Sequence, residues 1–89
     1  MPSMTQIRDY YKKTKWVQDT LMEILNDDQT TETEWNSLMR IRKTNGANMS
    51  TLVAGMGGDD IGSVSFWVLK RTVDMDFNTM SKMVARKGL

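Results

Sequence analysis

The sequence predicts an all-α domain on three grounds: apolar residues recur at helical spacing, capping residues stand where those runs begin, and charge alternates in blocks. Residues 1–18 hold four bases and one acid, residues 19–34 six acids and no base, and residues 35–58 three bases and no acid. A helix favours acids at its positive N-terminal end and bases at its negative C-terminal end, so an acidic block followed by a basic one gives a helix its direction. Four to five helices in a single domain over residues 1–89 are expected.

The first helix is expected from about residue 4 to 26, where Ile7, Tyr10, Thr14, Val17, Leu21 and Ile24 recur at spacings of 3, 4, 3, 4 and 3. Such a seam serves a core. It also suits pairing of two copies, which makes Ile7, Tyr10, Val17, Leu21 and Ile24 the candidate dimerisation residues of a homo-oligomer. A second helix is expected over 32–44: Thr31 with Glu34 spells a capping box, Trp35, Leu38 and Met39 form its apolar stripe, Arg40, Arg42 and Lys43 fill its last turns, and Gly46 stops it. Asn48 then caps a short helix bearing Met49, Leu52, Val53 and Met56, which Gly57-Gly58 breaks. Asp59 and Asp60 open the next, with Ile61, Val64, Val68 and Leu69 on one face and Phe66, Trp67 and Val73 widening it. A tight turn at Asp74-Met75-Asp76 leads to a last helix carrying Met80, Met83 and Val84.

The rival fold is α+β. Asn45-Gly46 is a strong hairpin dipeptide, "GGDD" is a second turn signal, and Val64, Phe66 and Val68 alternate as a strand does. These would give a three-stranded antiparallel meander over residues 35–72, flanked by two helices. The helical reading is preferred because caps, charge blocks and periodicity agree with one another at several places.

The chain contains no cysteine and no histidine, which removes thiol chemistry, disulfides and zinc sites built on thiolate or imidazole, together with the side chain best suited to proton transfer near neutral pH. No enzyme activity, metal or cofactor is expected. Asp74, Asp76 and Asn78 match the first ligands of a calcium loop, but Thr79 stands where glycine is needed and Ala85 where a bidentate glutamate belongs. The glycines of "GMGGDD" lack the following Gly-Lys-Ser/Thr of a phosphate cradle, and the paired aspartates sit where capping accounts for them. No membrane association is expected, since no apolar run approaches bilayer length and the N-terminal stretch lacks a signal-peptide core; a cytoplasmic location follows as an expectation.

Nine methionines and three tryptophans suit either core filling or an adaptable binding surface; Met39, Met56, Met80 and Met83 are assigned to the core. The net charge is only +1, so any contact with nucleic acid has to come from local placement of bases.

The segment "FWVLKRTVDMDFNTMSKMVARKGL" places apolar residues on facing sides of two helices joined by about three residues, as a helix-turn-helix requires. The run from Val73 to Val84 resembles the turn and recognition helix of phage repressor and activator proteins, with Asp74 where glycine is usual and Lys70 where a small residue is usual. A second placement, resembling winged-helix repressors, would make Met49–Met56 the first helix and "SVSFWVLKR" the reader. The C-terminal placement implies a small DNA-binding transcriptional regulator. In it, Asn78, Ser81 and Lys82 face base edges of double-stranded DNA while Arg86 and Lys87 meet phosphate. The alternative function is a non-enzymatic protein-binding module, an inhibitor or regulator of a macromolecular target, anchored by exposed tryptophan and methionine.

Overall fold

The computed structural model describes all 89 residues, Met1–Leu89. Three helices run up, down and up: α1 (Met4–Leu25), α2 (Glu32–Met56) and α3 (Ser63–Lys87). They form a bundle of 42 × 19 × 18 Å, and no strand is present. Fold class is therefore all-α, and the β-meander is excluded.

The first two helices begin where their caps stand. Ser3 Oγ accepts from the Gln6 amide while Gln6 Oε1 accepts from the Ser3 amide, and Thr31 and Glu34 make the same reciprocal pair. α2 ends at Gly57, the break expected for the short helix after Asn48, and not at Gly46. α3 starts later than its acidic cap candidates, at Gly62, whose φ of 78° suits glycine; Asp60 Oδ1 accepts from the Gly62 amide and shapes the turn.

The expected count of four to five helices is corrected to three, because two of the expected breaks do not occur. Asn45-Gly46 lies within α2 and Asp74-Met75-Asp76 within α3. Asn and Asp interrupt helices by bonding to nearby backbone, and here those side chains have partners on other helices instead. Asn45 Nδ2 donates to the Thr14 carbonyl oxygen across the core at 3.0 Å. Asp74 accepts from Tyr10 Oη and Lys13 Nζ, and Asp76 accepts from Thr44 Oγ1. Asn48, expected as a cap, is likewise interior to α2, and no helix starts there.

With α2 and α3 unbroken, each helix offers a continuous 3–4 seam to a shared axis. One apolar cluster, at the end of the α1–α2 connection, joins Val17, Leu21 and Ile24 to Leu38, Ile41, Met80 and Met83. The other joins Ile7 to Leu52, Phe66, Leu69 and Val73. Between them lies a polar layer of Thr14 and Asn45, both fully buried. Asn45 Oδ1 and Asn48 Nδ2 have no hydrogen-bond partner in the chain, so the layer costs stability while favouring one register, since Asn45 meets Thr14 only when α1 and α2 are correctly aligned.

The candidate dimer seam has a different role from the one expected. Ile7, Val17, Leu21 and Ile24 are at most 5% exposed, and Tyr10 is half-buried against Phe66. α2 and α3 of the same chain cover these residues, without the translational and rotational entropy cost of recruiting a second copy. Met80 and Met83 are core residues, Met56 packs at its edge, and Met39 is only half-buried.

The two interior glycines of α2 differ in their surroundings. A Cβ at Gly46 would meet nothing within 4 Å, whereas one at Gly55 would lie 2.5 Å from Ile61 Cδ1. Gly46→Ala is therefore expected to raise stability by about 0.5–1 kcal/mol through helix propensity. Gly55→Ala should give no gain, because Ile61 must be displaced from the second cluster. Urea unfolding followed by circular dichroism measures both; equal gains would show that Ile61 does not constrain Gly55.

Candidate functional site

The residues singled out for DNA do not share one role. Asn78 and Lys82 are exposed on α3, and Ser81 is half-buried. Arg86 Nη2 donates to Glu34 Oε2 at 3.1 Å. Lys87, its side chain only 10% exposed, lies 3.3 Å from Glu34 Oε1 and 3.5 Å from Asp27 Oδ2. These two bases thus tie the end of α3 to the start of α2 and to the α1–α2 connection, and their charge is largely answered within the chain. The expected turn of a helix-turn-helix is occupied by the continuous helix α3, so the two-helix geometry of that motif is absent.

The Glu34 carboxyl is lowered to about 2, chiefly by the Thr31 amide it accepts from and then, against some desolvation, by Lys87 of this ion cluster. The acids of the expected turn are also drawn inward. Asp74 holds the Lys13 ammonium at 2.9 Å and raises its pKa through that hydrogen bond. Tyr10 is raised too, by burial first and then by the Asp74 charge. Burial raises Asp76, opposed by the Thr44 hydroxyl and the nearby Arg40. Asp74 therefore turns to α1 and Asp76 to α2, so they do not converge with Asn78 on an ion.

The other side of α3 carries the most distinctive surface of the bundle. Val64 is 79% exposed, Trp67 57%, Val68 54% and Met75 65%. Their spacing, with Arg71 among them, is i, i+3, i+4, i+7 and i+11, which places all five along one side of a helix. The core residues Phe66, Leu69, Val73, Met80 and Met83 occupy the opposite side. A helix on the surface of a globular protein ordinarily has one apolar stripe; α3 has two. The Arg71 guanidinium lies 5.1 Å from the centre of the Trp67 ring, an arrangement that orders both side chains in the absence of a partner. A shallow cavity of about 200 Å³ adjoins Trp67, lined also by Gln6, Phe66 and Lys70.

Of the remaining exposed apolar residues, Met1 lines the same cavity as Trp67. Trp16 rests on Phe77 at a ring separation of 4.9 Å, while Trp35 and Val53 lie at distant positions on α2. No helix is long and apolar enough to cross a membrane. No known protein family, curated protein or solved structure matches the chain.

The sequence reading places Val64 and Val68 on the core face with Ile61 and Leu69, and Trp67 among the residues that widen it, which hides this outer face. The signal was present in the angles: at 100° per residue, Val64, Trp67 and Val68 cannot share a side with Phe66, Leu69 and Val73.

Two carboxylates give opposite pH behaviour. Glu34, at about 2 when folded against 4.5 ordinarily, contributes stability above pH 4.5 that is lost as pH falls towards about 2. Asp76 is raised, so the folded state holds its proton more tightly; its contribution is present below the ordinary value of 3.8 and lost as pH rises through the folded pKa. Glu34→Gln should accordingly melt below wild type at pH 7, with the difference closing near pH 2. Asp76→Asn should melt above wild type at pH 7, with its advantage shrinking in acid. Melting curves across this range decide the matter, and parallel pH profiles for wild type and variants would contradict both assignments.

Proposed function

We propose that this chain is a non-enzymatic protein-binding module that docks on a macromolecular target through the outward face of α3. One observation carries this reading: α3 presents a second apolar stripe, Val64, Trp67, Val68 and Met75, on the side opposite the core. Apolar side chains on the solvent side of a helix contribute nothing to the fold, and contiguous exposed apolar patches mark interaction sites. Their types agree with that use. Tryptophan and arginine are enriched among residues that dominate binding energy, and methionine adapts its shape to a partner. A straight ridge at this spacing is the form in which one helix meets a groove or another helix.

The reading also gives the three-helix frame a purpose. Two apolar clusters and the ion pairs at the end of α3 hold that helix rigid along its length, so its outer side chains are positioned before the target arrives. Preorganisation of this kind lowers the entropy cost of association.

Affinity capture from nuclease-treated lysate of the source cells tests the proposal. Wild type and Trp35→Ala should retain one partner, while Trp67→Ala and Met75→Ser should lose it with melting temperatures close to wild type, since these side chains are exposed. A partner retained by both α3 variants would defeat the proposal. So would selection from a random duplex library that converges on one DNA motif and is weakened by Lys82→Ala, which would restore the DNA-reader function.

A further inference from the structure

We infer that the occupant of this face is an amphipathic helical segment of a partner protein whose apolar residues are flanked by carboxylates, and not a second copy of this chain; the inference rests on the docking role proposed for α3. Within α3 the acids are Asp74 and Asp76, and both are engaged by partners on α1 and α2, Asp74 with its side chain still 44% exposed. Of the bases, Arg86 and Lys87 are engaged by Glu34 and Asp27. Lys70, Arg71 and Lys82 remain, none in an ion pair; the Lys70 ammonium lies 5.7 Å from the Tyr10 ring centre and 5.9 Å from that of Phe66. The outward ridge therefore carries two cations without an acid partner in the chain, Arg71 and Lys82, while Lys70 turns to the α1 side.

Covering that ridge desolvates Arg71, which lies within it at i+7 and makes no hydrogen bond in the chain. A purely apolar partner would leave the guanidinium buried without an acceptor, whereas a carboxylate can take two of its N–H groups at once. Pairing two of these faces about the centre of the ridge would set the two Arg71 side chains against each other, with the exposed acids Asp59 and Asp60 only at its far edge before Val64, and like charges at the centre of an interface oppose association. At a helical rise of 1.5 Å per residue, Val64 to Met75 spans about 16 Å and Lys82 extends the cationic border by about 10 Å more. A partner helix of roughly 11 to 18 residues covers that length.

Selection of random 18-residue peptides displayed on phage, against the immobilised folded chain, tests the inference. The expected outcome is enrichment of peptides with apolar residues at i, i+3 or i+4 and i+7 and an excess of Asp and Glu beside them. Binding of a synthetic peptide from that set should weaken by about 30-fold in Trp67→Ala, as for a dominant interface residue. Arg71→Glu should weaken it several-fold and bind better the same peptide with its glutamates changed to lysine. Thermal melts of both variants should match wild type. Enriched peptides that are neutral or basic, or an Arg71→Glu variant that leaves the peptide preference unchanged, would overturn the acidic partner. If those peptides still lose affinity with Trp67→Ala, the docking role stands on its own. Sedimentation showing a dimer abolished by Trp67→Ala would assign the face to a second copy and overturn the inference, and a selection that enriches nothing would end both.

Discussion

Three helical seams closing on one axis constrain everything else in this chain. α1 contributes Ile7, Thr14, Val17, Leu21 and Ile24, α2 contributes Leu38, Ile41, Asn45 and Leu52, and α3 contributes Phe66, Leu69, Val73, Met80 and Met83. Each seam follows the alternating 3 and 4 spacing that keeps one side of a helix turned to its neighbours. A break in α2 or α3 would divide a seam and expose half of one cluster. Burying a large aliphatic side chain is worth about 1.5–3 kcal/mol, whereas a central glycine costs a helix only about 1 kcal/mol. The seam thus outweighs Gly46, and α2 runs through it.

The polar layer at the middle of the bundle is the counterpart of that apolar drive. Asn45 reaches the Thr14 carbonyl, but its own Oδ1 and the Nδ2 of Asn48 stay without partners. Apolar residues there would hold the helices more tightly and discriminate less between registers, because leucine fits against leucine at many offsets. Just outside the layer, Thr44 meets Asp76 and Lys13 meets Asp74, so the polar contacts continue from the core to the surface at one level of the bundle. Those contacts engage the acids of α3 with α1 and α2, while Arg71 and Lys82 on its outer side have no acid partner.

The two ends of α3 accordingly differ in character. Towards its C-terminus, Arg86 and Lys87 meet the acidic start of α2 at Glu34, a carboxyl already held low by the Thr31 amide. Over its first half, Val64, Trp67, Val68 and Met75 face solvent with Arg71 lying on the Trp67 ring. A helix tied down by its inner face and its far end is a rigid support for whatever its outer face carries.

By itself the sequence determined the all-helical class, the span of α1, the start of α2 at its capping box, and a helix end at Gly57, because local chemistry sets these features. Hydroxyl caps, an N3 glutamine or glutamate, and a 3–4 apolar rhythm act within a few residues of one another. Tertiary structure alone decided that the four to five expected helices became three. Asn45, Asp74 and Asp76 are helix breakers only while they bond their own backbone, and each found its partner 31 to 64 residues away, a pairing local periodicity does not reveal. The same packing sent the α1 seam into the chain's own core and engaged Arg86 and Lys87 in ion pairs. It also decided which apolar face of α3 is buried: seams on α1 and α2 match Phe66, Leu69 and Val73, and no surface within the chain matches Val64, Trp67 and Met75.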